Sequence, residues 1–305
     1  MPGASEVKSR IDGINDTKKI TDAMYMISSA KMRRALQDLE ATTPYYEALR
    51  ESIGELLRCF PQTENRYFEA ADSAQKPHRN HGILLITSDK GLAGSYNHEA
   101  IRTSLRFASQ YAKTTFFIIG EYGRQYFLNH KLDFDREFYH CAVRPSMPEA
   151  RRICTELLER YDSRDLDDIA IIYTDFTANK AAECKPITLL PLRKTAFAQG
   201  AADGRPEERE FLPGPEAVLD GVIPSYLTGF IYGSLVESYC SEQQARMNAM
   251  KSAGSNAEDM LKSLNIQYNK LRQAAITGEI TEITAGAGAQ KKKRTRSGAG
   301  ENNEQ

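Results

Sequence analysis

The chain has no tryptophan, and its 5 cysteines are odd in number and contain no C-x-x-C pair. Paired disulfides and a cysteine-based zinc site are therefore poor readings, and isolated thiols in a reducing cytosol are the default. No run of about 18 consecutive apolar residues exists, so no segment reads as a transmembrane span. The N-terminus, MPGASEVKSR, has neither an apolar signal core nor an arginine-rich presequence. An excess of one charge is missing as well. With 40 basic and 41 acidic side chains the net charge is -1, which selects neither nucleic acid nor membrane as a partner. The five histidines, His78, His81, His98, His130 and His140, show no metal-ligand spacing. No Ser/His/Asp, Cys/His or paired-carboxylate arrangement stands out, so the expectation is no catalytic residue, no metal and no cofactor.

What is present is periodicity at both ends. Val7, Ile11 and Ile14 step by four and three, as do Ile20, Met24 and Ile27, and the stripe resumes with Ala35, Leu39, Tyr46, Leu49, Ile53 and Leu56. This predicts one helix from Ala4 to about Cys59, a rod on the order of 80 Å, bent locally at Pro44. After Pro224, read as a start signal, Met250, Ala253, Ala257, Met260, Leu264, Tyr268, Leu271 and Ala275 step by threes and fours with no further proline. A thin apolar stripe of this kind is a coiled-coil seam, here slim because it is rich in Ala and Met. Two such rods most simply pair antiparallel; the alternative is two helices of separate bundles.

The middle differs in kind. GILLIT (82–87), TFFII (115–119), DIAIIY (168–173) and Ile187–Leu192 read as short buried strands alternating with helices that begin near Glu121 and at Pro148. That alternation argues for an open, doubly wound, Rossmann-like α/β sheet. The fold class expected is thus α/β, a long antiparallel coiled coil of N- and C-terminal helices plus a Rossmann-like domain. Its segments are 1–60 (first coiled-coil helix), 61–80 (linker), 81–200 (α/β domain), 201–219 (connecting segment), 220–289 (second helix) and 290–305. The last, QKKKRTRSGAGENNEQ, has no apolar anchor and reads as a disordered basic tail.

SDKGLAGS (88–95) lies between a strand and a helix, where phosphate sites are often built, but it has neither G-x-G-x-x-G nor G-K-[ST]. A glycine-permitted turn is the plainer reading. Lys18, Lys19, Lys31, Arg33 and Arg34 give the first rod a basic face, either solvated or facing an acidic partner. Ile276–Ala289, ITGEITEITAGAGA, joins β-branched residues and two acids, Glu279 and Glu282, to a tail of small residues. A core helix would carry leucines here. This composition suits a smooth tip that something else encloses.

Three segments, in order, resemble the gamma subunit of F-type ATP synthases: GASEVKSRIDGINDTKKITDAMYMISSAKMRRA, ITSDKGLAGSYN, and SEQQARMNAMKSAGSNA followed by YNKLRQAAITGEITEITAGA. The resemblance covers nearly all of Met1–Ala289. It implies a non-catalytic rotor shaft of a proton-transporting two-sector ATPase, turning inside a ring of alpha and beta subunits and coupling ion flow to ATP synthesis. The partners implied are the alpha, beta, epsilon and delta subunits and the membrane c-ring. The place implied is the cytoplasmic face of the bacterial plasma membrane, held peripherally. By residue, the resemblance assigns coupling or beta-subunit contact to Met24, Arg246, Arg272, Gln273, Thr277, Glu279 and Glu282. The family commonly stops near Ala289, so Gln290–Gln305 is an extension expected to be dispensable. Two other readings compete with the rotor: a small-ligand or nucleotide module built on Ser88–Ser95 and Asp89, and a coiled-coil adaptor.

Overall fold

A computed structural model describes residues 3–69, 80–176, 183–197 and 211–298, with side chains described through Gly288. Parts of the expected linker (70–79), of the α/β domain (177–182 and 198–200), of the connecting segment (201–210) and of the tail (299–305) lie outside the described residues. The residues form two compact units, Tyr25–Ala249 and the pairing of Met1–Met24 with Met250–Gln305.

The first helix, α1, runs Ala4–Cys59, as its periodicity predicts, and carries Pro44 inside it. Next come β1 (Asn80–Ile86), α2 (Tyr96–Ala108), β2 (Lys113–Ile119), α3 (Glu121–Asn129), α4 (Met147–Asp162), β3 (Asp168–Thr174) and β4 (Cys184–Leu190). A 3-10 turn, Lys194–Phe197, precedes the final helix α5 (Pro215–Gly298).

Within Tyr25–Ala249 the sheet has the order β2-β1-β3-β4. β1 pairs in parallel with β2 and with β3, whereas β4 is antiparallel to β3. The doubly wound expectation therefore holds for three strands and is corrected at the fourth. Only Asp175–Glu183 joins β3 to β4, too short for the crossover that a parallel partner needs. As an edge strand β4 is also only partly buried, not apolar on both faces. Its start at Cys184 comes before the expected Ile187, because the polar half of an edge strand carries no hydrophobic signal.

Alternation along the strands loads both sheet faces. Ile83, Leu85, Phe116 and Ile118 pack with Ile101 of α2 and Phe127 of α3. Leu84, Ile86, Phe117 and Ile119 face the other way, toward Ile153 and Leu157 of α4 and toward Leu219, Ile223, Leu227 and Leu235 of α5. Ile53 and Leu56 of α1 enter the same cluster.

α5 begins at Pro215, nine residues before the expected start signal, and Pro224 sits inside it. A proline is well placed at the first turn of a helix. The Pro224 carbonyl accepts from the Thr228 hydroxyl at 2.8 Å, and the packing of Leu219, Ile223 and Leu227 outweighs the lost backbone donor. At the other end the helix runs on to Gly298, past the expected boundary at Ala289. Lys and Arg are good helix formers, they suit the negative end of the helix dipole, and extending a formed helix needs no new nucleus.

The two long helices run antiparallel, since partners that rise along α1 fall along α5. In the larger unit the ring of Tyr46 lies where a side chain on Gly229 would stand, and the Cys240 thiol points to the Met32 carbonyl. In the smaller unit Thr21 and Asp22 face Gly254, and Lys18 pairs with Glu258 at 2.6 Å. The seam differs from the one expected at three places. Ile20 and Ile27 are 60% and 54% exposed, and the buried positions beside them are Thr21 and Ser28. Met260 is exposed too, with Leu261 turned inward in its place. Small polar residues fit because the Thr21 hydroxyl bonds to the Lys18 carbonyl of its own helix.

One half-buried acid lies beneath this core. The Glu237 carboxyl is pushed up to about 7, first by burial and then by the Asp175 carboxylate beside it. Its folded value lies above the ordinary 4.5, so the folded chain holds a proton that the unfolded chain releases. Its contribution to stability therefore falls as pH rises from the ordinary value through about 7. Glu237→Gln should leave the unfolding midpoint near wild type at pH 5 and raise it at pH 8. Equal midpoint differences at both pH values would contradict this.

Candidate functional site

The loop after β1 fixes how α5 meets the α/β sheet. The Thr87 hydroxyl donates to the Ile119 carbonyl, and Gly120, at φ +96, passes so close that any side chain would strike the Thr87 carbonyl. Ser88 N–H donates to Asn97 Oδ1 at 2.9 Å, and Asn97 Nδ2 donates back to Ser88 Oγ at 2.7 Å. Asp89 Oδ1 accepts from the Glu121 and Ala142 N–H groups, each at 3.1 Å. Glu121 is the first residue of α3, so Asp89 caps the N-terminus of that helix from within the chain. Asp89, on which the nucleotide reading drew, is thus engaged through Oδ1 in bonds within the chain.

Arg246 of α5 holds the same loop. Its guanidinium bonds to Glu242 at 2.5 Å and to the Lys90 and Gly91 carbonyls at 3.2 and 3.1 Å. Arg246 as a whole is only 8% exposed. Burial lifts the Glu242 carboxyl above its ordinary range, and Arg246 pulls it back down. Nearby, the hydroxyls of Tyr96 and Ser238 meet at 2.7 Å. Sequence reasoning placed Arg246 among the coupling residues but missed Glu242, four residues earlier on the same helix face, and missed Asp89 as an internal cap. The i, i+4 Glu–Arg spacing was the available signal.

The other residues singled out in the sequence lie in the smaller unit. Met24 is partly buried, while Arg272, Gln273, Thr277, Glu279 and Glu282 are exposed. Thr277, Thr281 and Thr284 turn their hydroxyls back to carbonyls of the preceding turn, at 2.9, 2.7 and 2.9 Å. Ile276, Ile280 and Ile283 form one stripe, and they are 46%, 57% and 71% exposed. The register explains this. Lys18 is fourteen residues beyond Ala4, and fourteen residues beyond Glu258 lies Arg272. α1 therefore gives out opposite Arg272, and from about Ile276 the helix has no companion among the described residues. A bare stripe of isoleucines is an interaction surface by default.

A family model described as ATP synthase matches residues 3–289. The ATP synthase gamma chain of Acetivibrio thermocellus is 37% identical, over 95% of this chain and 100% of that one. The chain belongs to the ATP synthase gamma family. A sodium ion specific gamma chain of Acetobacterium woodii is 33% identical, over 93% of this chain and 97% of its own. Among solved structures, a chain of the Euglena gracilis mitochondrial ATP synthase (OSCP/F1/c-ring, rotational state 3) covers 95% of this chain, and 95% of it is covered in turn. Its TM-score is 0.62 at 17% identity. A chain from the Tetrahymena thermophila central stalk/c-ring structure aligns with TM-score 0.56 at 22% identity, over 77% of this chain and 99% of that one. At such identities these two speak for the fold. The family match ends at Ala289, where the helix itself does not.

Arg246→Ala should remove the only cation bonded to buried Glu242 among the described residues and free two loop carbonyls. The expected loss of stability is roughly 3 kcal/mol in urea unfolding, with Arg246→Lys recovering part of it. A loss below about 1 kcal/mol would mean that the pair is not the clamp its geometry describes.

Proposed function

We propose that this chain is the central rotor shaft of an F-type ATP synthase, turning within a hexamer of alpha and beta subunits and coupling ion flow to ATP synthesis. The observation that carries this reading is the unaccompanied tip: an isoleucine stripe from Ile276 to Ile283 that nothing among the described residues covers, followed by AGAGA, on a member of the gamma family. A helix with internally bonded threonines and small terminal residues can sit in an apolar sleeve and still turn, because no long side chain interlocks with the sleeve. Each angle of an asymmetric shaft favours a different conformation of the surrounding subunits, and that shift of populations is the coupling. In this role the chain sets ATPase activity and ion flow without supplying catalytic groups of its own, catalysis lying with the beta subunits.

Six residues are assigned to contact with the beta subunits: Met24, Arg272, Gln273, Thr277, Glu279 and Glu282. An arginine and an amide can grip a carboxylate by directional hydrogen bonds and release it when the geometry changes. Arg246 is assigned a positioning role, acting through the Lys90–Gly91 loop that it holds. The epsilon and delta subunits and the c-ring complete the assembly, which places the chain peripherally on the cytoplasmic face of the membrane. No helix among the described residues is long and apolar enough to cross a bilayer itself.

Two measurements test the reading. Tagged chain purified from its native cells should carry alpha and beta subunits, each in threefold excess over it. Recovery without them would favour the coiled-coil adaptor. Met24→Lys should leave assembly intact and lower the ions pumped per ATP hydrolysed. An unchanged pumping ratio would remove Met24 from the coupling set.

A further inference from the structure

Within the larger unit, α1, the loop before α4 and α5 enclose a cleft of about 270 Å³. Its floor is one face of α5, Tyr232, Val236 and Tyr239, all buried against the core. Its rim is basic. Lys31 and Arg34 stand one turn apart on α1, and Arg144 reaches in from the loop. Arg144 is paired with Asp38 at 3.2 Å, a bridge that joins the two walls. That pair is electrically neutral, and Glu242, which Lys31 also influences, is neutralised by Arg246. Lys31 and Arg34 have no ion-pair partner among the described residues, and the Tyr239 hydroxyl has no hydrogen bond there. The cleft thus combines an apolar floor with two cations and a tyrosine hydroxyl that have no partner among the described residues.

We propose that this cleft binds a small amphiphilic organic anion. A ring-sized apolar body lies on Tyr232, Val236 and Tyr239, and a carboxylate, sulfonate or phosphate sits between Lys31 and Arg34. The floor supplies desolvation of apolar surface, and the two cations supply charge-assisted bonds that fix which way round the ligand lies. The Arg144–Asp38 bridge favours a small molecule over a peptide, because it blocks passage of a main chain through the cleft.

The test uses 4-benzoylbenzoate, an apolar photoreactive carboxylate, with the purified chain and with the chain assembled with its partner subunits. Irradiation followed by peptide mapping should give saturable labelling of peptides containing Val143–Pro145 and Tyr232–Tyr239 in both samples. The exposed-residue double variant Lys31→Gln/Arg34→Gln should raise the half-saturating concentration about fivefold, and neutral benzophenone should label these peptides much less. Equal labelling by benzophenone, or no effect of the double variant, would overturn the anion site. Labelling of the free chain but not of the assembled one would assign the cleft to an acidic segment of a neighbouring subunit, and would equally overturn the proposal.

Discussion

Small side chains along the antiparallel seam, Thr21 beside Gly254 in the smaller unit, set the register on which the rest of the chain depends. The Lys18–Glu258 pair marks that register, but its side chains are partly exposed, and such pairs contribute little stability. The register is better explained by size. A bulky residue at Gly254 or Ser28 would push the helices apart, and slipping one residue would bring Ile20 or Ile27 into a seam that holds Thr21 and Ser28. Once the register is set, α1 must end opposite Arg272, and the isoleucines beyond must find cover elsewhere.

The same helix α5 therefore serves two solvents. Near the α/β sheet its Leu219, Ile223, Leu227 and Leu235 are enclosed by the chain itself. Past Arg272 it presents Ile276, Ile280 and Ile283 outward. A leucine stripe at the tip would bury as well but would lock into its surroundings. β-branched side chains with few rotamers, followed by glycine and alanine, make a stiff, shallow surface. Arg246 and Glu242 link these two regimes, since they tie α5 to the loop after β1 in the last turns before the slim segment begins.

Much of this was legible in the sequence, for identifiable reasons. The long period of α1 placed its ends closely, and β1 and β3 announced themselves through their apolar runs, buried on both faces. β4 was placed late and its direction missed, because an edge strand is half polar and strand direction is a property of the connection. The seam was misread at Ile20, Ile27 and Met260, since hydrophobicity alone cannot distinguish a position facing a helix partner from one turned outward. Pro224 was mistaken for a start because tertiary packing overrode a local breaker. Of the candidate site residues, Arg246 was singled out by the resemblance alone, and its inward orientation was not legible because it depends on a loop more than 150 residues away in the chain.

The central claim is that this chain turns as a shaft inside a catalytic ring, and rotation of single molecules tests it most directly. Hexamers holding this chain would be fixed to a surface, with a bead attached through the exposed Cys141. Under ATP the account predicts one-way rotation with three pauses in each turn. Beads that only fluctuate in place on hexamers still hydrolysing ATP would contradict it.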